Sequence, residues 1–154
     1  MSPGPKEIER KFLVVGEAWR SKARSRSHIV QGYLARGRKS TVRVRIKDGK
    51  QATLTIKTRE RGASRSEFEY RISLKDALAL LELCGKSRIE KERYIVPHGK
   101  LVWEIDVFIK PSAGLVVAEI ELEREDQAVK LPKWTGEEVT DDPRYRNSSL
   151  VDES

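Results

Sequence analysis

Glu7-Ile8-Glu9-Arg10-Lys11-Phe12-Leu13-Val14 is the stretch whose reading decides the fold. Along a strand, alternate side chains share a face. Glu7, Glu9 and Lys11 therefore point one way, and Ile8, Arg10 and Phe12 the other. Groups at i and i+2 lie about 7 Å apart, so two carboxylates and an ammonium stand in line, a pattern that suits a divalent cation beside a phosphate. Later segments repeat the pattern. Arg43 and Arg45 oppose Val42, Val44 and Ile46; Thr53, Thr55 and Lys57 oppose Leu54 and Ile56; Glu67, Glu69 and Arg71 oppose Phe68, Tyr70 and Ile72. Lys91 and Arg93, Glu104 and Asp106, and Glu119 and Glu121 complete the series.

Unbroken alternation between turn residues predicts eight strands, over about 6–15, 28–35, 40–47, 51–58, 66–72, 88–96, 100–109 and 115–124. Asp48-Gly49 is a strong hairpin signal. Ser73 reads as an N-cap aided by Asp76, Leu74, Leu78 and Leu81 recur at helical spacing, and Gly85 stops the run. A helical turn is expected around 17–22, a Gly-containing basic loop over 59–65, and a short helix over 125–129 that Pro132 ends. The tail from Trp134 onward is polar, with a helical turn near its end. Eight strands with short connections suggest an antiparallel meander that closes into a barrel. The expected fold class is mainly β (α+β), an eight-stranded antiparallel β-barrel with peripheral helices. One domain over 1–154, with its core about 6–147, suits the length.

Hydrophobic residues make up 38% of the chain and charged residues 36%, against about 25% charged in an ordinary domain. The net charge is +7, which favours polyanionic partners. Cys84 is the single cysteine, which excludes an intrachain disulfide and fits a reducing compartment. No stretch is long or apolar enough for a transmembrane helix, and the first six residues lack a signal peptide's apolar region. The expected location is cytoplasmic, away from membranes. His28 and His98 are isolated, without metal-ligand spacing, and Trp19, Trp103 and Trp134 are too scattered to stack bases.

Ordinary amphipathic strands turn the apolar face inward. Here the charged faces carry little Ser, Thr, Asn or Gln between their carboxylates and cations. A barrel with a polar, charged interior and an apolar outside covered by helices and loops accounts for this better. Buried charges then need opposite partners or a metal, and acidic strands facing basic ones supply them.

The same residues carry a family resemblance. Glu7-Ile8-Glu9-Arg10-Lys11 resembles the Glu-x-Glu-x-Lys signature of the triphosphate tunnel metalloenzymes, the CYTH superfamily, and the chain is most similar to its short bacterial members, which hydrolyse inorganic tripolyphosphate. Gln31-Gly32-Tyr33-Leu34, Val42-Arg43-Val44-Arg45, Thr55-Ile56-Lys57, Glu67-Phe68-Glu69-Tyr70, Glu90-Lys91-Glu92-Arg93-Tyr94, Glu104-Ile105-Asp106-Val107 and Glu119-Ile120-Glu121 resemble family segments in family order, as does Gly136–Asp142 with Arg144-Tyr145 and Asn147.

The resemblance implies an eight-stranded tunnel. Glu7, Glu9, Glu119 and Glu121, with Asp106 as a weaker candidate, would bind Mg²⁺ or Mn²⁺. Lys11, Arg43, Arg45, Lys57, Arg71, Lys91 and Arg93 would hold phosphates. Tyr33 would orient or deprotonate the attacking water, with Lys11 and Lys91 beside it as catalytic candidates, and Glu67 and Glu69 would support the cations. Glu104 is read as ending its strand in solvent, and Trp103 as lying on the apolar outer face under a helix.

The expected activity is metal-dependent hydrolysis of tripolyphosphate, a small-molecule substrate, by a chain that family analogy allows to be a homodimer. Rival readings are the same tunnel acting on an organic triphosphate (thiamine triphosphate, a nucleotide, or adenylyl cyclisation) and a polyphosphate- or RNA-binding module without turnover. Nucleic acid is the less favoured partner, because the acidic set repels polyanions unless a cation intervenes.

Overall fold

The structure is a computed structural model and describes residues 6–58 and 64–151. The order is β1 (Lys6–Val14), a 3₁₀ turn (Ala18–Lys22), β2 (Ser25–Arg36), β3 (Ser40–Lys47), β4 (Gln51–Thr58), β5 (Ser64–Ile72), α1 (Leu74–Cys84), β6 (Arg88–His98), β7 (Leu101–Lys110), β8 (Val116–Leu122) and β9 (Thr135–Glu138). Two further 3₁₀ turns, Pro143–Tyr145 and Asn147–Ser149, shape the tail. The strands are antiparallel neighbours in the order β5-β4-β3-β2-β6-β7-β8-β1-β9, and β5 also pairs with β1. Eight strands thus close on themselves, as the alternation predicts. β1 makes the closure, with one edge on β8 and the other shared between β5 and the added β9. Its start meets β5 through Lys6↔Ser66 and Glu7↔Arg65, and its end meets β9 through Phe12↔Glu138 and Val14↔Thr135.

The Asp48-Gly49 turn joins β3 to β4. Both residues adopt positive φ, 54° and 66°, which is the twist a two-residue hairpin turn needs, and Lys50 N donates to Lys47 O at 3.0 Å. Asp48 Oδ1 accepts from His28 N at 2.8 Å, tying the hairpin to β2.

The barrel is apolar outside in two places, and each is covered. α1 starts where Ser73 Oγ accepts from Asp76 N at 3.0 Å and stops at Gly85, whose φ is +56°. Its buried stripe is Ala77, Leu81 and Cys84, which pack on Val44, Ile46 and Ala52 of β3 and β4. The expected stripe included Leu74 and Leu78, but both are exposed. The helix phase follows the close approach to Gly32: a Cβ there would lie 2.7 Å from Cys84 Sγ and 3.1 Å from Leu81 Cδ2.

On the other side Phe12, Val96, Trp103, Ile105, Ala118, Ile120 and Leu122 form one apolar cluster with Trp19 and Trp134. Trp103 meets Trp134 edge-on at 5.2 Å and Phe12 at 5.6 Å. The cover over Trp103 is therefore a loop residue, with Trp19 of the first 3₁₀ turn in the same cluster, rather than an α-helix. Residues 125–129 form a turn followed by irregular chain, not the expected helix, and the chain runs on through Trp134 into β9, an added strand in a segment expected to be polar tail. Most of the expected basic loop, 59–63, lies outside the described residues.

The charged interior runs out at one end. There the inward phase carries Leu13, Val117, Phe108, Ile89 and Tyr33, packed with Leu150 and Val151 of the tail. Among the described residues no helix is long and apolar enough to cross a membrane.

Gly32→Ala is expected to lower unfolding stability by about 1–3 kcal/mol, because the methyl overpacks the seam under α1. Cys84→Ala in the same chain is expected to recover part of that loss by removing Sγ. Urea unfolding of both variants checks this, and an unchanged midpoint for Gly32→Ala would mean the helix does not sit as described.

Candidate active site

Inside the barrel, charge is sorted by wall. β7, β8, β1 and β5 are neighbours around the circle and bring Glu104, Glu119, Glu121, Glu7, Glu9, Glu67 and Glu69 to the bore. The opposite arc, β4, β3, β2 and β6, brings Lys57, Arg43, Arg45, Tyr33, Lys91 and Arg93. Lys11 and Arg65 are cations set within the acidic arc. These side chains line a cavity of about 290 Å³, at the small end of the range for ligand pockets.

On the basic side, Asp106 is the anchor. Its Oδ2 accepts from Lys91 Nζ at 2.7 Å and Arg93 Nη2 at 3.0 Å, and its Oδ1 from Arg93 Nε at 2.8 Å. Arg93 also reaches Glu104 at 2.8 Å. Lys91 is 1% exposed and Asp106 2%. Burial pushes the Lys91 ammonium down to about 7, against the pull of Asp106. Burial acts to raise Asp106, but Arg93 and Lys91 overcome it and hold the carboxyl far below its usual range. Arg45 Nε donates to Gln31 Oε1 at 2.8 Å. Burial and the charges of Arg43 and Arg93 press Arg45 downward, yet a guanidinium stays protonated at neutral pH. Arg43 Nε and Thr55 Oγ1, on residues opposite each other between β3 and β4, are buried without a hydrogen-bond partner among the described residues. Buried polar groups are rarely left so, and of the two Arg43, which lines the cavity, fits a bound anion.

The acidic side carries raised carboxyls. Glu9 stands opposite Glu121 between β1 and β8, and burial and then the charge of Glu119 raise it to about 7. Burial and a hydrogen bond with Glu67 raise Glu7, while Lys57, 3.0 Å away, works against them. Burial and Glu7 raise Glu121. Glu119 goes the other way: burial acts to raise it, but Lys11 at 3.6 Å, with Arg93 and Lys91, brings it to about 2.

Carboxylates crowded and partly desolvated in this way favour a cation among them. Among the described residues no three acidic, histidine or cysteine groups converge on one point. A hard ion that keeps waters and takes phosphate oxygens as ligands needs only one or two carboxylates, so the donor set fits such an ion and not zinc.

Residues 5–152 match the CYTH domain. The chain belongs to the CYTH domain family. It is 46% identical over 147 residues to an inorganic triphosphatase of Acetivibrio thermocellus, covering 95% of this chain and 93% of that one. It is 39% identical over 154 residues to an inorganic triphosphatase of Nitrosomonas europaea, covering 94% and 96%. A crystal structure of the inorganic triphosphatase NE1496 matches with a TM-score of 0.67 at 32% identity, covering 97% of each chain.

Within this CYTH barrel, Glu7, Glu9, Lys11, Tyr33, Arg43, Arg45, Lys57, Glu67, Glu69, Lys91, Arg93, Glu119 and Glu121 all line the one cavity. Two expected site residues do not. Asp106, read as a metal ligand, has both oxygens engaged by Lys91 and Arg93 and stands behind them. Arg71, read as a phosphate contact, is exposed beyond the part of β5 that pairs with β1. Glu104, expected in solvent, lines the cavity beside Arg93. The strand pattern held a signal for Thr41 and Arg65, which share the phase of Arg43 and Glu67. It held none for Arg146, Asn147 and Ser148, which reach the cavity from the tail.

Glu9 sets a pH dependence. Its folded value, about 7, lies above its ordinary value of 4.5, so the stability it contributes is complete below the ordinary value and is lost as pH rises through the folded one. In EDTA at pH 8, Glu9→Gln is therefore expected to melt about 2–6 °C above wild type, with the gap closing near pH 4. Thermal melts at the two pH values check this, and equal midpoints at pH 8 would refute the crowding of the acidic wall.

Proposed function

We propose that this chain is a metal-dependent triphosphatase that hydrolyses inorganic tripolyphosphate to pyrophosphate and phosphate. The observation that carries the reading is the division of one small cavity into a carboxylate wall and a cation wall. The basic wall suits the oxygens of a phosphate chain, and the acidic wall suits the divalent ion that accompanies it. The two triphosphatase relatives, matched over nearly their whole length, support the same activity.

Tripolyphosphate is favoured over an organic triphosphate by the lining. Tyr33 is its one aromatic residue among those described, and it is 6% exposed. That leaves no open face on which a base or thiazole ring could stack.

In the proposed reaction, water attacks a terminal phosphorus, the bridging P–O bond breaks, and its electron pair leaves on pyrophosphate. Such a step depends mainly on positioning and charge neutralisation. Arg43, Arg45, Arg93, Lys57, Lys91 and Lys11 would grip the nonbridging oxygens, the arginines in pairs and the lysines as point charges. Tyr33 Oη accepts from Gln31 Nε2 at 3.4 Å, which leaves its proton to donate, a role suited to orienting water or a phosphate oxygen. Mg²⁺ or Mn²⁺ would take its one or two carboxylate ligands from among Glu7, Glu9, Glu119 and Glu121. When bound, that ion neutralises phosphate oxygens and acidifies coordinated water.

The test is phosphate release from tripolyphosphate, ATP and pyrophosphate, each with Mg²⁺, Mn²⁺ or EDTA. Tripolyphosphate is expected to turn over fastest, with EDTA abolishing turnover. Glu9→Ala and Arg45→Ala are each expected to lower kcat/KM about 10²–10³-fold. Faster hydrolysis of ATP would replace the substrate, and absence of metal-dependent turnover on all three would sink the reading.

A further inference from the structure

The cation wall is held together by neutral amides as well as by Asp106. We propose that Asn147 and Gln31 are positioning residues that seat Lys91 and Arg45 for the phosphate chain, an inference that rests on the triphosphatase reading.

The hydrogen bonds leave these amides one arrangement. Arg45 Nε can only donate, so Gln31 turns Oε1 toward it, at 2.8 Å. Gln31 Nε2 is then left to donate, and it meets Asn147 Oδ1 at 3.2 Å. Lys91 Nζ, also only a donor, meets the same Oδ1 at 2.7 Å. One amide oxygen on the tail thus collects a donor from Lys91 of β6 and one from Gln31 of β2, which in turn holds Arg45 of β3. Gln31 is fully buried, 0% exposed, so it has no water to replace a lost partner.

The use of amides here has a chemical reason. A carboxylate at either position would accept the same bonds but would cancel the charge that phosphate is to meet. An amide holds each cation in place and leaves its charge intact. In its charged form Lys91 has three ammonium protons; one goes to Asp106, one to Asn147, and neither bond takes the third, at the cavity it lines. Arg45 commits Nε to Gln31 and keeps its two Nη ends for the same cavity.

The tail that delivers Asn147 is fixed on either side of it. Tyr145 O accepts from Lys11 Nζ at 3.0 Å, Ser148 O accepts from Arg36 Nη1 at 3.2 Å, and Leu150 and Val151 enter the apolar cluster at the end of the bore. Asn147 therefore acts through Lys91 and need not itself touch the reacting atoms.

Calorimetric titration of tripolyphosphate into metal-free protein in EDTA tests this, for wild type, Asn147→Ala, Asn147→Asp, Lys91→Ala and the Asn147→Ala/Lys91→Ala double variant. Asn147→Ala is expected to weaken binding about tenfold. Asn147→Asp keeps the shape and the acceptor, so it is expected to melt within a few degrees of wild type, yet bind at least as poorly as Asn147→Ala. In the Lys91→Ala background, Asn147→Ala is expected to cost less than about twofold more, because the residue it acts through is gone. Binding by Asn147→Asp within twofold of wild type would overturn the proposal. So would an Asn147→Ala loss of the same size in both backgrounds. If Asn147→Ala does not fold, the isosteric Asp variant decides alone. A wild type that neither binds nor hydrolyses tripolyphosphate would sink the triphosphatase reading and this inference with it. A working wild type beside unaffected variants would sink only this inference.

Discussion

Everything in the bore depends on one buried carboxylate. Asp106 takes hydrogen bonds from Lys91 and Arg93 and has almost no contact with solvent. Two cations in that position without it would face a desolvation cost that no other single carboxylate among the described residues offsets, since Asp106, reaching across from β7, bonds both. With it, one negative charge holds two positive ones, and Arg43, Arg45 and Lys57 on the neighbouring strands keep the wall's sum positive. That surplus is what a phosphate chain would meet. Glu104 extends the arrangement by engaging Arg93 from the acidic side, which joins the two walls where β6 and β7 pair.

The inverted barrel follows from the same constraint. Charged faces can turn inward only if the apolar faces find cover outside, and the chain provides two covers. Gly32 lets α1 come close enough to bury Ala77, Leu81 and Cys84 against β3 and β4. Trp19 and Trp134 close the opposite side around Trp103. At the end of the bore the inward phase switches from Lys11, Glu119 and Lys91 to Leu13, Val117 and Ile89. The tail fills that apolar end and so reaches the charged middle with Asn147.

Alternation made the strands legible because period-two patterning survives any environment. β3 and β4 begin and end at the expected residues, 40–47 and 51–58. Alternation could not say how deep each charge sits. Glu104 and Asp106 share a strand face, yet Asp106 pairs in register with Arg93 and is buried, whereas Glu104 pairs with Ile95 and remains half-exposed in the cavity. Depth is set by register across the sheet, which a single strand does not encode. Arg71 failed for a similar reason: it has the phase of Glu67 and Glu69, but β1 no longer pairs beside it. β9 is four residues long with no alternation of its own, and docking against the end of β1 creates it. Helix phase failed at Leu74 and Leu78, where close approach to Gly32 outweighs side-chain hydrophobicity.

The two walls also constrain the order in which charge can enter. Glu9, Glu7 and Glu121 are raised because burial opposes their ionisation and neighbouring carboxyls add to it, Glu119 for Glu9, Glu67 for Glu7 and Glu7 for Glu121. A bare polyanion would add to that opposition, and a bare cation would meet Lys57, Lys11 and Arg93 across the same narrow space. Each ion alone is therefore attracted to one wall and repelled by the other. A cation already carried by phosphate oxygens presents both charges at once and satisfies both walls. On the triphosphatase reading, tripolyphosphate alone binds through the cation wall, and its complex with metal binds more tightly than either component. The same balance makes a carboxylate ill-suited to the positions of Gln31 and Asn147, where it would tip the cation wall toward neutrality and weaken the side that recognises phosphate.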